Sequence, residues 1–191
     1  EDAAASMELL LKLRQTPRWV ENLYEVRRMI EVEIAGLAAE RATANDLCAL
    51  EEAVAGMEAH AGDAERFTEC DLAFHAALAA ATQNELFCAL LDSIGHLWRE
   101  MIRLSYEAPT APRDGVHYHR QILRCVQQRD VEGARRTMLE HVRHSQRLVE
   151  ALKDAKEALS VAIQKKDTPV MRIARARVNE LIERIPHVTF E

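Results

Sequence analysis

The chain has 191 residues, 48% of them hydrophobic and 29% charged, with 31 acidic against 25 basic residues and a formal charge of −6. These figures suit one globular domain, or one with an appendage, and exclude a disordered chain. The acidic balance and the short basic runs (Arg27-Arg28, Arg135-Arg136, Lys165-Lys166) argue against DNA binding by this chain alone.

Helix signals cover nearly everything, strand alternation is absent, and only 6 glycines and 5 prolines interrupt. A short leading segment, Ala3 to Arg14, breaks at Thr16-Pro17. The next helix is expected from about Glu21 to Arg41, with Leu23, Val26, Ile30, Ile34 and Leu37 along one stripe. Thr43, with Asp46 three residues on in capping-box position, starts a helix to about Ala61. Asp63 opens another to about Thr82, and Asn84 a long one to about Glu107. The clearest loop is Ala108 to Pro112, after which Asp114 restarts a helix that ends near Gln128.

Asp130 caps the following helix, whose inward stripe is Val131, Ala134, Met138, His141, Ser145, Leu148 and Leu152, alternating spacings of three and four as a bundle requires. The domain is read as residues 1–152. Residues 153–191 are read as a helical extension that packs on the bundle or on a partner chain, with a last helix from about Pro169 to Arg184. No apolar run approaches the roughly 20 residues of a membrane span, and no signal peptide is visible. Cys48, Cys70, Cys88 and Cys125 show no C-x-x-C spacing and read as small buried hydrophobes in a reducing cytoplasm.

Asp71 and His75 lie on the apolar stripe of Phe67, Phe74 and Leu78, four residues apart, so their side chains project one above the other. A buried aspartate needs a partner, and His75 alone is a modest one. His119 falls on the apolar side of its helix with Ile122, Leu123 and Val126, and His141 is on the stripe of the next. His119 lies 10 residues before Arg129 (129 − 119) and His141 lies 12 after it (141 − 129), so an antiparallel pair brings them to nearly the same level. Three imidazoles and one carboxylate suit one divalent transition metal per chain, zinc first, with nickel or cobalt as alternatives. The remaining histidines (His60, His96, His117, His144, His187) lack this agreement and read as solvent-facing, although His117 and His144 neighbour the set and could substitute.

The segments Leu23 to Glu31, Ala38 to Thr43, Asp71-Leu72-Ala73-Phe74-His75, Asn84-Glu85-Leu86, His119 to Leu123, and Ala134 through Met138 to His141 carry a resemblance. Together they resemble the C-terminal effector domain, FCD, of FadR-type regulators in the GntR family. The ligand gaps of 4 (75 − 71), 44 (119 − 75) and 22 (141 − 119) follow the Asp, His, His, His order of that family's metal-binding members. The resemblance covers roughly residues 8–150. It implies an all-α, antiparallel six- to seven-helix bundle, homodimerisation and a small organic acid bound beside the metal. It also implies that DNA is met only through an N-terminal winged helix-turn-helix that these residues do not include. A chain that does not begin with Met fits a truncated protein.

For the effector carboxylate the first candidate is Arg27, since the matching family arginine faces the pocket; Arg103, Arg99 and Asn84 follow. Competing readings are a metal-dependent enzyme and a structural metal in a dimerising module. Neither H-E-x-x-H nor the E-x-x-H of di-iron bundles is present, and no unpaired acid is placed as a general base, so an enzyme is not expected.

Overall fold

Six helices form where caps and apolar stripes call for them: α1 (Trp19–Arg41), α2 (Ala44–Ala59), α3 (Ala64–Ala81), α4 (Glu85–Tyr106), α5 (Ala111–Gln127) and α6 (Val131–Gln164). The computed structural model describes residues 18–108 and 110–164, together with Thr16, Pro169, Arg172, Ile173 and Ala176. No strand occurs among the described residues. The expected leading segment, and the last helix apart from those single positions, lie outside them.

Local chemistry sets the helix starts. Thr43 and Asp46 form the capping box of α2. Asp63 accepts from the amides of Glu65 and Arg66, and Asn84 from that of Leu86. Asp130 takes the amide of Gly133 at 2.8 Å. Helix α5 begins at Ala111, three residues earlier than expected, because Pro112 fits a first turn where its missing N–H has no partner to lose. Helix α6 runs unbroken through Leu152 to Gln164, so the extension begins as a continuation of the bundle's last helix.

The connections are short and the neighbours antiparallel. Along α1, Tyr24 bonds Ser145 and Arg135 meets Glu33, so α6 runs opposite to it. Arg129 holds the α5–α6 turn in the left-handed region (φ 59°) and sends its guanidinium to the carbonyls of Ala39, Glu40 and Ala42. That contact ties the hairpin to the end of α1 and sets the level at which α5 and α6 cross the core.

The core contains Tyr24, Ile34, Leu50, Phe74, Leu78, Trp98, Met101, Ile122, Met138 and Val142. The cysteines depart from expectation: Cys70, Cys88 and Cys125 are half-buried, and Cys48 is exposed. Each lies off the inward line of its helix, so helical position rather than residue type decides its burial.

Candidate metal centre and adjoining cavity

Helix α3 carries Asp71 and His75 inward, 6% and 2% exposed, while α5 contributes His119 at 0% and α6 His141 at 6%. The hairpin levels work out as the spacing to Arg129 requires: the rings of His119 and His141 lie 4.7 Å apart. His75 Nε2 is 3.3 Å from His119 Nε2. Asp71 places its two oxygens 3.6 Å from His75 Nε2 and 3.8 Å from His119 Nε2. One ligand-capable nitrogen from each of the three histidines lies within 4.8 Å of the other two. Phe74 stands edge-on to His119 at 4.5 Å, and the Trp98 ring packs against His75 at 4.6 Å.

The outer nitrogens decide what the inner ones offer. His119 Nδ1 lies 2.6 Å from the carbonyl of Gly115, which can only accept, so Nδ1 carries the proton. His75 Nδ1 lies 3.0 Å from Glu31 Oε2. Burial works to raise the Glu31 carboxyl, but Arg27 and His75 more than offset it and hold the group below its usual range. Glu31 is therefore an acceptor too. Neutral rings with these tautomers present two bare Nε2 atoms to each other at 3.3 Å. Facing lone pairs repel unless positive charge lies between them.

A proton is poorly suited to that place on the His119 side, because burial pushes this imidazole down to about 4, and His141 well below its ordinary value. A divalent cation suits it. Ligands about 2.1 Å from one ion lie roughly 3.0–3.4 Å apart for right-angle to tetrahedral arrangements. The observed 3.3–3.8 Å spacings are close to that range, and Asp71 is too far from either ring for a direct hydrogen bond. The donor set therefore fits a metal of the zinc, nickel or cobalt type.

Arg27 adjoins this set and is only 2% exposed. Its Nε donates to Glu31 at 2.6 Å, and its guanidinium lies 4.5 Å from the Trp98 ring and 5.0 Å from that of Tyr24. Nη1 remains buried with no hydrogen-bond partner among the described residues. Arg27, Asp71 and His141 share the lining of a cavity of about 30 Å³ with Gly115, His144 and Ser145.

The other effector candidates are elsewhere. Neither Arg99 nor Arg103 lines that cavity. Both pair with Glu65 in the first turn of α3, but Arg99 lines a separate cavity of about 450 Å³ together with His75 and Trp98. Asn84 caps α4, and its side chain is spent on the Leu86 amide.

Reading the sequence missed Glu31 and Asp114, and took His144 as solvent-facing, a possible substitute ligand at most. Glu31 follows Arg27 by four residues, a spacing that announces an ion pair on a helix. His144, read as solvent-facing, is 3% exposed, and its Nε2 lies 3.3 Å from Asp114, itself 1% exposed. No local signal reveals that pair, which exists only because α5 and α6 are packed together.

The profile of the FCD domain matches residues 22–144, well over half of the chain. The chain is 33% identical over 128 residues to the HTH-type transcriptional regulator LutR of Bacillus subtilis (strain 168), covering 64% of this chain and 58% of that protein. It is 28% identical over 142 residues to the galactonate operon transcriptional repressor of Escherichia coli (strain K12), covering 74% of this chain and 62% of that one. The chain thus spans about three-fifths of the length of these curated relatives. With the histidine-lined helical bundle and the profile match in agreement, the chain belongs to the FCD domain family.

Proposed function

We propose that this chain is the ligand-sensing, metal-binding regulatory domain of a bacterial DNA-binding transcription regulator, responding to a small organic acid. The facing Nε2 atoms of His75 and His119 carry the metal half of that reading. Support for the regulatory half comes from the family and from two relatives whose names describe transcriptional regulators. Homodimerisation, and DNA contact through a domain outside these residues, belong to the same proposal. The relatives also favour a regulator over an enzyme.

Asp71, His75, His119 and His141 would hold the metal. A divalent ion there supplies positive charge and a coordination position for a carboxylate oxygen. The protein's own groups do the rest. Arg27, Glu31 and Asp71 together carry one net negative charge, which disfavours an anion in the empty cavity. With a divalent ion held by neutral imidazoles the balance would be +1, which one carboxylate would neutralise. Such a carboxylate would give Arg27 Nη1 the acceptor it lacks, while Trp98 and Tyr24 hold the guanidinium in place. Glu31 joins both halves, taking Arg27 on one side and His75 on the other. The effector can shift the protein between arrangements only through differential affinity for them.

The deciding measurement is the metal content of the purified, dialysed chain by elemental mass spectrometry, beside a His119→Ala, His141→Ala variant. About one divalent metal per chain, lost in the variant, is expected. A native chain that contains none, and takes up none from added zinc or nickel, would overturn the metal half.

A further inference from the structure

The cavity of about 450 Å³ between α3 and α4 shares His75 with the metal set and no residue with the cavity beside Arg27. Its size falls within the roughly 300–1,000 Å³ of small-molecule sites. Leu72 and Leu91 give it apolar walls, and His75, His96 and Trp98 line it with aromatic rings, against which another ring packs well. Its charged liners, Asp92 and Arg99, are opposite in sign, and Arg99 already meets Glu65 at 3.2 Å. That balance favours an uncharged occupant over an ion.

Two further observations point to an occupant. Trp98 is 2% exposed, and its Nε1–H is buried without a hydrogen-bond partner among the described residues. An indole can only donate, and a buried one ordinarily finds an acceptor. Gly95 stands in the middle of α4, where glycine is less favourable than alanine. A Cβ there would meet nothing within 4 Å beyond its own stretch of helix, so packing within the chain does not call for a glycine. Its effect is to leave room for a flat molecule close to the helix backbone.

We propose that the α3–α4 cavity binds an uncharged, planar aromatic molecule whose acceptor, a carbonyl oxygen or a ring nitrogen, takes the hydrogen bond of Trp98 Nε1. The site is separate from the carboxylate position at the metal centre and stands without it.

The test follows the indole N–H of Trp98 by nitrogen–proton correlation NMR. The chain has two tryptophans, so a Trp19→Phe background leaves one indole signal. Coumarin, a neutral bicycle with a carbonyl acceptor, should move that proton downfield and saturably. Naphthalene, which offers a ring and no acceptor, should not move it downfield. Gly95→Leu occupies the open space and should abolish the coumarin response while the backbone amide spectrum persists. Should that variant not fold, Ala76→Leu narrows the cavity from α3 and should have the same effect. The inference is overturned by no saturable response to coumarin, by an equal downfield response to naphthalene, or by a response that survives the leucine substitution. A Trp98 signal that follows protein concentration instead of coumarin also overturns it, and gives the cavity to a second copy of the chain.

Discussion

Two arginine–glutamate pairings in this molecule look alike in a list of contacts and differ in what they can do. Arg27 meets Glu31 at 2.6 Å inside the bundle, both side chains 2% exposed or less. Arg103 and Arg99 share Glu65 on the surface, where the Arg103 side chain is 56% exposed and that of Glu65 49%. In water the charges are screened and the arginines can leave at little cost. In the core the guanidinium is held by a carboxylate and two aromatic faces, and its remaining N–H can be satisfied only by something that enters the cavity. A binding residue is distinguished here by an unmet demand under burial, not by charge.

The sharpest way to break this comparison is to remove one partner of the buried pair. Arg27→Ala leaves Glu31 buried without its cation, beside Asp71 across the same site. A destabilisation of about 3–5 kcal/mol is expected from urea unfolding, the usual cost of orphaning one member of a buried pair. Arg27→Met replaces the charge with a chain of similar length and leaves Glu31 equally orphaned, so it should destabilise by a comparable amount. Full recovery in the methionine variant would mean that packing, not charge, is what Arg27 contributes.

Glu31→Gln addresses the joint between the two halves. The amide retains a hydrogen bond to Arg27 or His75 but cannot orient and polarise His75 as a carboxylate does. Metal affinity, read by competition with a chromophoric chelator, should fall about 10- to 100-fold, the usual effect of losing a group that orients a ligating histidine. An unchanged affinity would show that Glu31 serves Arg27 alone.

Why Glu31 escaped the sequence while the four candidate ligands did not follows from how far each signal reaches. Caps such as Thr43, Asp63 and Asn84 act within one turn, so neighbouring residues disclose them. His119 and His141 were legible because a tight turn at Arg129 and a constant helical rise set their relative level. Glu31 and Arg27 lie between such cases: their spacing shows a pair, but its burial depends on α3 and α4 lying across it. The Asp114–His144 pair depends wholly on two helices meeting, and polar residues beside a stripe read as solvated until that contact exists. Arg99 and Arg103 are the opposite case. Their spacing of one turn was visible, but which way α4 turns them is decided by the neighbouring core side chains Trp98, Met101 and Ile102.

The smallest expected effect is also the control that gives the others meaning. An Arg99→Ala, Arg103→Ala variant removes two positive charges that pair with Glu65 and none from the cavity that Arg27 lines. Stability should change by less than about 1 kcal/mol, and metal content not at all. Carboxylate affinity should change only modestly at low salt, through the long-range field, and that difference should vanish as ionic strength rises past about 0.15 M. A loss that persists at high salt would place these arginines in contact with the ligand and move the recognition site outward to the α3–α4 face. A loss that salt removes leaves recognition with Arg27, whose burial shields its interactions from the same ions.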